Sequence, residues 1–379
     1  MKELSECRIL IVEDVPANVD VLVQALRGDY QLSVAIDGAA GLRTAEKLLP
    51  DLVLLDIIMP GIDGYEVCRR LRASPRTREI PVMFLSSLEE VQDKTKGFEV
   101  GGNDYLVKPF AILEVKARVR SLLRAKAYVD GVKEKIAHEL RIAREIQMGI
   151  LPPDVSAVTQ GTGLEAHAIL HPAQEVGGDL YEALPMPDGN LVAVMGDVSG
   201  KGIPAALFMA VTTTLVRAIA AEVRRPEEIL SRVNDALASH NPHTMFVTLL
   251  CAVYDARTGR LDYASAGHPP AVLIRNGTAE FLPLKPGMIA GIMTGLSAPC
   301  QSVQLQPEDQ VVFYTDGVTE ALDAAQDLYG DSRLLTELAR QSGHTAAATT
   351  DALLRSVRAH AGDYPQSDDI AILVLKRKQ

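Results

Sequence analysis

The sequence has no pair of closely spaced cysteines: its four cysteines, Cys7, Cys68, Cys251 and Cys300, lie far apart and form no CxxC motif. This absence predicts buried thiols in a reducing compartment and argues against a disulfide framework or a cysteine zinc site. None of the eight histidines forms an HExxH motif or a zinc-like cluster. Any metal site is therefore expected to use oxygen ligands, which favours Mg²⁺ or Mn²⁺ over Zn²⁺.

Basic residues are outnumbered, with 38 lysines and arginines against 49 aspartates and glutamates and a net charge of −11. Nucleic acid partners need a basic surface, so no nucleic acid partner is expected. The first eight residues lack an apolar core, so no secretory signal is predicted. The longest apolar runs, such as 247–254, are of strand length, so no membrane segment is expected and the predicted location is the cytoplasm.

The 379 residues suffice for two domains, and a hydrophobic content of 47% suffices for substantial cores. Residues 8–123 alternate short apolar runs with stretches of helical spacing. The apolar runs lie at 8–12, 51–55, 80–85 and 104–107. This alternation predicts a doubly wound α/β domain with a parallel sheet covered on both faces. In such sheets the chemistry collects at the carboxyl ends of the strands.

Between residues 111 and 150, apolar residues recur every three or four positions and charged residues fill the gaps. This pattern predicts one long amphipathic helix that ends at Pro152 and Pro153. The helix could pack on its own domain, or it could be a signalling helix that forms a homodimer through a coiled coil. The second interpretation is favoured because so few turns separate the two domains. The predicted boundaries are 7–124 for the first domain, 125–153 for the helical linker and 154–377 for the second domain.

From residue 164 onward the pattern changes to short strand-like runs. They lie at 164–170, 191–197, 246–254, 261–266, 272–275, 310–314 and 370–375. Two helical segments are predicted at 203–223 and 226–240, and a further helical stretch near 331–360. Sequential strands with grouped helices predict an α/β sandwich rather than a second doubly wound sheet.

Polar residues follow the apolar runs of the first domain at the points where strands are expected to end. Glu13 and Asp14 follow the first run, and Asp56, Ser86 and Lys108 follow later ones. An isolated aspartate after a strand is usually a turn or a cap. Three carboxylates at one sheet edge would repel one another, however, and a divalent cation would resolve that repulsion. Together with a hydroxyl and a lysine, such a group suits phosphoryl transfer onto an aspartate.

Four motifs of the first domain, in this order, resemble those of response-regulator receiver domains. They are EDVPAN at 13–18, LDIIMPG at 55–61, FLSS at 84–87 and DYLVKPF at 104–110. The resemblance covers about residues 7–124. It implies that Asp56 accepts a phosphoryl group from a histidine kinase or a phosphotransfer protein. It also implies a cis peptide bond between Lys108 and Pro109.

The same resemblance implies roles for the other residues of these motifs. Glu13 and Asp14, with Asp56, would hold Mg²⁺. Ser86 and Lys108 would contact the phosphoryl group, and Tyr105 would be the switch aromatic. Phosphorylation would then bias a loop with two states.

Four segments of the second domain place an aspartate beside an apolar strand or a glycine turn. They are EVGGDLY at 175–181, GDVSGKG at 196–202, YTDGVTE at 314–320 and SDDI at 367–370. The second segment fits neither a P-loop nor a GxSxG elbow. Asp188-Gly189 is expected to be a hairpin turn. Asp316-Gly317 is not, because a strand precedes it and a helical segment is expected to follow. Four such aspartates without matching lysines or arginines predict a metal site.

These segments resemble the SpoIIE- and RsbU-type bacterial branch of the metal-dependent protein phosphatases, the protein phosphatase 2C family. Three further stretches fit the same branch: AREIQMGILP at 143–152, PAQEVGGDLY at 172–181 and SAGHPP at 265–270. The resemblance spans about residues 140–376. It implies two antiparallel sheets packed together, helices outside, and a pair of Mn²⁺ or Mg²⁺ ions at one end.

Carried over by position, the resemblance assigns the catalytic, metal-binding roles to Asp197, Asp316 and Asp368. Asp197 would bridge two ions, helped by the carbonyl of Val198, and Asp316 and Asp368 would complete the shell of the first ion. Asp369 is an alternative to Asp368, because the two are adjacent.

Three positions keep open alternatives. Asp179 would lie in an outer shell or bind a further ion. Glu182 departs from the more usual aspartate. His268 could be a general acid or part of a structural turn.

Two functions follow from these assignments. The favoured one is a serine/threonine phosphatase, controlled by Asp56 phosphorylation, that acts on an anti-sigma-factor antagonist of the STAS type. The alternative is a catalytically weak adaptor that binds a sigma factor or another partner. A DNA-binding regulator is disfavoured, because no basic C-terminal module or helix-turn-helix is present. The survival of Asp197, Asp316 and Asp368 favours the enzyme, since a metal site needs them and a docking surface does not.

Overall fold

The computed structural model describes residues 4–87, 96–152, 154–285 and 287–379. The chain divides into two units, Met1–His138 and Glu139–Gln379. Each unit has its own sheets and its own hydrophobic clusters.

Five parallel strands form the sheet of the first unit, in the order β2-β1-β3-β4-β5. The strands are β1 (Arg8–Val12), β2 (Gln31–Ala35), β3 (Leu52–Asp56), β4 (Val82–Ser86) and β5 (Asp104–Val107). Alternate residues of β1 enter different hydrophobic clusters, Leu10 on one face and Ile11 on the other. Both faces are therefore covered, which confirms the predicted doubly wound α/β fold.

Three helices of the first unit begin at residues suited to helix starts. They are α1 (Pro16–Leu26), α2 (Gly38–Leu48) and α3 (Gly64–Ala73). Proline opens α1, where its missing N–H costs nothing. Asp37 and Asp63 cap α2 and α3 by accepting hydrogen bonds from the backbone N–H groups of Ala40 and Glu66.

Strand β2 was not among the predicted strands. Its sequence, QLSVA, lies at the sheet edge and is only partly buried, so it lacks the apolar run that marks the central strands. The ends of two predicted strands also shift by one residue. Asp56 and Ser86 are the last residues of β3 and β4 rather than the residues that follow them.

A single helix, α4 (Ile112–Ile150), spans 39 residues and confirms the predicted long helix. Its first turns bury Val115, Val119 and Leu123 in the first unit. Beyond them the apolar side chains are exposed: Tyr128, Val129, Val132, Ile136, Ile142 and Ile146. The homodimer and the coiled coil remain predictions.

Ten strands form two antiparallel five-stranded sheets in the second unit, in the orders β13-β10-β9-β8-β7 and β12-β11-β14-β15-β6. The first sheet contains β7 (Leu180–Pro185), β8 (Leu191–Val198), β9 (Val247–Asp255), β10 (Arg260–Ala266) and β13 (Gln301–Gln304). The second contains β6 (Leu164–His171), β11 (Val272–Arg275), β12 (Thr278–Phe281), β14 (Gln310–Tyr314) and β15 (Ile370–Arg377). Val311 and Phe313 join the core shared with the first sheet, so the predicted α/β sandwich is confirmed.

The helices of the second unit cover the outer faces of the two sheets. They are α5 (Val155–Val158), α6 (Ile203–Ala220), α7 (Pro226–Ala238), α8 (Gly330–Ala339) and α9 (Ala346–Ala361). The helices α6 and α7 pack on the first sheet, and α8 and α9 on the second. Val312 and Tyr314 alternate with the core residues of β14 and point to α8 and α9.

Several local predictions for the second unit were wrong. The stretch near 331–360 is two helices, separated where Gly343 adopts φ +82° and Thr345 caps α9. A turn rather than a helix follows Asp316. Strands β7, β12 and β13 were missed, the last two because they are short and lie at sheet edges. The hairpin turn at Asp188-Gly189 is confirmed between β7 and β8.

One helix among the described residues, α6, is long and apolar enough to cross a membrane by length and composition alone. Three threonines and Arg217 interrupt this helix, so it is not one continuous apolar run. Met209 and Val216 of α6 are nevertheless fully buried within the unit, where the helix packs on β7, β8 and α7.

Candidate functional site

Three carboxylates meet at the carboxyl edge of the parallel sheet. Glu13 and Asp14 follow β1, Asp56 ends the neighbouring β3, and one oxygen from each lies within 4.8 Å of the others. Asn18 donates a hydrogen bond of 2.8 Å to Glu13 Oε1 and fixes that carboxylate. The parallel register of β1 and β3 brings these residues together, as the motif order predicted.

Lys108 provides the positive charge at this edge. Its Nζ lies 2.7 Å from Asp56 Oδ2 and 2.8 Å from Glu13 Oε2. Burial lowers the pKa of Lys108, but the hydrogen bonds to Asp56 and Glu13 outweigh it, so the net shift is upward. Burial also raises the pKa of Asp56, despite the hydrogen bond from Lys108.

Asp14 leaves one buried oxygen without a hydrogen-bond partner. This atom, Oδ1, is an orphan among the described residues. Such an atom is costly unless something else satisfies it, and a hard divalent cation takes carboxylate oxygens of this kind. The oxygen-rich set of Glu13, Asp14 and Asp56 therefore fits Mg²⁺ on its own chemistry.

Ser86 and Tyr105 lie beside this edge. Ser86 is buried at the end of β4, where its carbonyl accepts a hydrogen bond of 2.8 Å from Lys108 N. The Tyr105 ring is buried 5.5 Å from the ring of Phe84 and 5.4 Å from that of Phe98. Gly97 makes this possible, because a β-carbon there would lie 1.4 Å from the tyrosine hydroxyl oxygen. Sequence reasoning missed Gly97. The cis bond between Lys108 and Pro109 is present.

A second group of carboxylates lies at one end of the sandwich. Asp197 is on β8 of the first sheet, and Asp316 follows β14 of the second sheet by two residues. Both line a cavity of about 420 Å³, together with Thr248, His268 and Glu320 among others. Two residues 119 positions apart in sequence thus face one space.

The carboxylates of this group repel one another, and this repulsion contributes to their raised pKa values. Burial, followed by the charges of Asp316 and Asp368, raises the pKa of Asp197 to about 7. Burial and the charges of Glu320 and Asp368 raise the pKa of Asp316. A cluster with these upward shifts favours any cation that can neutralise it. The donor set is all oxygen, which fits Mn²⁺ or Mg²⁺.

Asp179 is buried behind these residues. Its Oδ2 accepts a hydrogen bond of 2.7 Å from the hydroxyl of Thr315, the residue before Asp316. Burial, followed by the charge of Asp197, raises the pKa of Asp179 well above its usual value. Next to it, a β-carbon on Gly178 would lie 2.7 Å from the carbonyl oxygen of Val198, so the glycine lets that carbonyl approach.

The adjacent residues Asp368 and Asp369 face different partners. Asp369 accepts hydrogen bonds of 2.8 Å from the backbone N–H groups of Ala173 and Gly178. A β-carbon on Gly177 would lie 1.8 Å from Asp369 Oδ2, so the glycine pair is shaped around this carboxylate. Asp368 is 40% exposed, and its Oδ2 lies 3.0 Å from Lys201 Nζ.

The expectation that these aspartates lack a matching cation was therefore wrong, because Lys201 pairs with Asp368. Among the described ranges, Asp197, Asp316 and Asp368 do not bring three oxygens within 4.8 Å of one another, as the first cluster does.

Glu182 and His268 have partners other than the carboxylates of this group. Glu182 is fully buried on β7, and its Oε1 pairs with Arg217 at 2.5 Å. Burial raises the pKa of Glu182 to about 7. His268 uses both ring nitrogens, with Nδ1 2.8 Å from Thr248 Oγ1 and Nε2 3.0 Å from the carbonyl oxygen of Tyr314.

Comparison with known families assigns a match to each unit. The sequence model of Stage II sporulation protein E (SpoIIE) matches residues 187–378. The sequence model of the response regulator receiver domain matches residues 9–120. The two matches lie on the two units and do not overlap.

Individual relatives match parts of the chain. Response regulator PleD of Caulobacter vibrioides is 43% identical over 136 residues, which are 36% of this chain and 30% of PleD. Protein IcfG of Synechocystis sp. is 28% identical over 296 residues, which are 70% of this chain and 45% of IcfG. The chain thus covers less than half the length of either relative.

A solved structure resembles the second unit in fold. The SiaA-PP2C domain of Pseudomonas aeruginosa superposes with a TM-score of 0.59 at 23% identity, and the match covers 65% of this chain and 98% of that domain. At this identity the similarity shows the fold alone. It agrees with the two antiparallel sheets and the outer helices.

Proposed function

Because this chain belongs to the Stage II sporulation protein E (SpoIIE) family and carries a response regulator receiver domain, we propose that it is a response regulator whose output is a metal-dependent serine/threonine protein phosphatase. The receiver domain would extend over 7–124, the helical linker over 125–153 and the phosphatase domain over 154–377. The cytoplasm is the location that fits these parts.

One observation carries the phosphatase proposal. Asp197 and Asp316 come from different sheets and line the same cavity, and burial together with the charge of Asp316 raises the pKa of Asp197 to about 7. Such a pair does not stabilise an apolar core, because each buried carboxylate costs free energy unless a positive charge or hydrogen bonds compensate it. The arrangement is understandable if the carboxylates hold cations.

Three side chains and one carbonyl group would hold a pair of Mn²⁺ or Mg²⁺ ions. Asp197 would serve both ions with the carbonyl of Val198, and Asp316 and Asp368 would complete the set. Asp368 is preferred over Asp369, because both oxygens of Asp369 already accept backbone N–H groups. Asp179 would lie in an outer shell of the ions, where the hydrogen bond from the Thr315 hydroxyl orients its carboxylate.

When bound, two divalent cations lower the pKa of water and neutralise phosphoryl oxygens. The residues that line the cavity would position the phosphoester. Among the described residues lining the cavity there is no lysine or arginine, so the cations would supply the positive charge for the substrate. His268 is not assigned the role of a general acid, because the N–H of its ring is engaged by the carbonyl oxygen of Tyr314 and its other nitrogen by Thr248.

The receiver proposal rests on the group around Asp56. Asp56 would accept a phosphoryl group from a histidine kinase or a phosphotransfer protein, while Glu13, Asp14 and Asp56 hold Mg²⁺. Lys108 already contacts Asp56 and would move to the phosphoryl oxygens. Ser86 would also contact the phosphoryl group, and the buried ring of Tyr105 would respond to that shift.

The substrate would be a phosphoserine or phosphothreonine on a partner protein. By resemblance to the SpoIIE and RsbU branch, an anti-sigma-factor antagonist of the STAS type is the proposed partner. The exposed apolar residues of α4, such as Val132 and Ile136, support a homodimer through the linker helix.

The test is hydrolysis of a generic aryl phosphate by the full chain with Mn²⁺. Wild type should hydrolyse it, Asp197→Ala should abolish the activity, and chelation of the metal should do the same. Equal inertness of wild type and Asp197→Ala across metals and phosphopeptides would refute the enzyme. For the receiver, acetyl phosphate should label wild type and leave Asp56→Asn unlabelled.

A second candidate function is an adaptor that binds a partner without hydrolysis. The observation in its favour is the ion pair of Lys201 with Asp368, which gives one proposed metal ligand a protein partner. An adaptor would change its partner binding when Asp56 is phosphorylated, yet would bind no Mn²⁺ at Asp197. Calorimetric titration with Mn²⁺ of Asp14→Ala, which removes the cation site around Asp56, separates the two functions: the phosphatase binds Mn²⁺ and the adaptor does not.

A further inference from the structure

His268 connects the two sheets of the sandwich at the end where the carboxylates lie. Its imidazole is buried. Nδ1 lies 2.8 Å from the hydroxyl of Thr248 on β9, in the first sheet. Nε2 lies 3.0 Å from the carbonyl oxygen of Tyr314 on β14, in the second sheet.

The partners decide the tautomer of the ring. A carbonyl oxygen can only accept, so Nε2 carries the hydrogen and donates to Tyr314. Nδ1 is then an acceptor and receives the hydroxyl hydrogen of Thr248. The ring is thus a neutral bridge with one acceptor and one donor, each directed to a different sheet. Burial lowers the pKa of His268 to about 4, which keeps the ring neutral at ordinary pH.

Both ends of this bridge lie beside a carboxylate. Thr248 faces Asp197 directly in the register between β8 and β9. Tyr314 is the last residue of β14, and Asp316 follows it by two positions. The distance between Thr248 and Tyr314 therefore constrains how far apart Asp197 and Asp316 can be.

The ring is not needed to make the turn in which it lies. The backbone N–H of His268 donates to Ser265 Oγ at 3.0 Å, and Ser265 Oγ donates to the carbonyl of His268 at 3.0 Å. Gly267, with φ +75°, supplies the left-handed residue. Because the turn closes through these groups, the imidazole is available for the cross-sheet bridge.

We propose that His268 is a positioning residue that sets the separation of Asp197 and Asp316 and thereby the affinity of the site for divalent cations. This inference rests on the proposed metal-dependent function. It differs from a catalytic role, since both ring nitrogens are engaged by Thr248 and Tyr314 and the proposed effect on the ions is exerted through the strands that carry Asp197 and Asp316. Residues that orient metal ligands in this indirect way contribute about 10-fold to 100-fold in metal affinity.

The experiment is a calorimetric titration of the full chain with Mn²⁺ in four forms, all carrying Asp14→Ala so that the carboxylates around Asp56 contribute no ion binding. His268→Gln keeps an acceptor and a donor that reach both partners, and His268→Phe keeps the volume but loses the bridge. His167→Phe is the matched control, because His167 also pairs with a threonine hydroxyl, at 2.7 Å from Thr350 on α9, but joins no carboxylate-bearing strands in this way. The fourth form has no further substitution and serves as the wild type of the titration.

The expected result is a loss of about 10-fold or more in Mn²⁺ affinity for His268→Phe. His268→Gln should remain close to wild type, and His167→Phe should match wild type. Equal affinity of His268→Phe and wild type would overturn the inference. So would an equal loss in the Gln and Phe variants. If the Asp14→Ala form that keeps His268 bound no Mn²⁺, the proposed function would fail and the inference with it.

Two further measurements keep the test decisive. If His268→Phe does not fold, His268→Asn replaces it. The side chain of Asn is one methylene shorter than that of Gln and cannot reach both sheets. His268→Asn should therefore bind Mn²⁺ more weakly than wild type, and His268→Gln should not.

The pH–rate profile of His268→Gln should keep every limb of the wild-type profile. A lost limb would assign proton transfer to the ring and overturn the positioning role.

Discussion

The ammonium group of Lys201 lies 3.0 Å from Oδ2 of Asp368, and it also donates a hydrogen bond of 2.5 Å to the carbonyl of Ser367. Lys201 lies between Gly200 and Gly202, both with positive φ, in the loop that follows Asp197. A proposed metal ligand therefore has a protein cation as its partner, and a divalent ion must displace that cation.

Replacing Lys201 should tighten Mn²⁺ binding. In Lys201→Met the ammonium no longer competes for Asp368, while the apolar stem remains. Both side chains are nearly half exposed, so the pair is worth about 0.5–1 kcal/mol, which corresponds to about two- to fivefold in affinity. Calorimetric titration of the full chain carrying Asp14→Ala, which removes the cation site around Asp56, measures the change. Lys201→Arg is the control and should bind Mn²⁺ as wild type does; weaker binding in Lys201→Met would contradict the competition.

The metal-free protein should lose stability as the pH rises from about 4 to about 7. Burial raises the pKa of Asp197 and of Glu182 to about 7, so the folded state holds protons that the unfolded state has released. The contribution of each group is present below its unfolded pKa and is lost as the pH rises through its folded pKa. The loss should be of the order of 1–3 kcal/mol for each group, measured by denaturant unfolding.

Two variants separate the contributions of Asp197 and Glu182 to this pH dependence. Asp197→Asn and Glu182→Gln should each flatten the dependence of the unfolding free energy on pH. Saturating Mn²⁺ should remove the pH dependence of stability that Asp197 contributes, because bound cations favour its ionised form. It should not change the contribution of Glu182, which pairs with Arg217. If Mn²⁺ flattened the slope in Asp197→Asn as much as in wild type, the assignment of Asp197 would be wrong.

Gly97 should be indispensable for the buried position of Tyr105. In Gly97→Ala the new β-carbon would lie 1.4 Å from the tyrosine hydroxyl oxygen, so the ring must move. Overpacking of this kind costs about 1–3 kcal/mol in the free energy of unfolding. The double variant with Tyr105→Leu removes the clash and should recover most of that cost. A double variant no more stable than Gly97→Ala alone would mean that the ring is not the obstacle.

Local motifs predicted much of both sites. Asp56, Glu13 and Asp14 could be placed together because parallel strands end at one sheet edge. Asp197 and Asp316 could be linked only through the family resemblance, since 118 residues separate them and no local rule joins β8 to β14. The edge strands β2, β12 and β13 escaped prediction because partial exposure removes the apolar run on which strand prediction depends.

Pairings across long sequence separations could not be predicted. Lys201 forms an ion pair with Asp368, which lies 167 positions later in the sequence. The backbone N–H of Gly178 donates a hydrogen bond to Asp369, which lies 191 positions later. Neither contact follows from spacing, because each depends on how two loops meet after the sheets have packed. The same holds for His268, whose two partners lie in different sheets.

The most direct measurement of the central claim is anomalous diffraction from crystals of the full chain soaked in Mn²⁺. The account predicts two anomalous peaks at the end of the sandwich, with Asp197 contacting both, Asp316 and Asp368 contacting the first, and Lys201 turned away from Asp368. Absence of any peak at Asp197, with Lys201 still paired to Asp368 under saturating Mn²⁺, would contradict it.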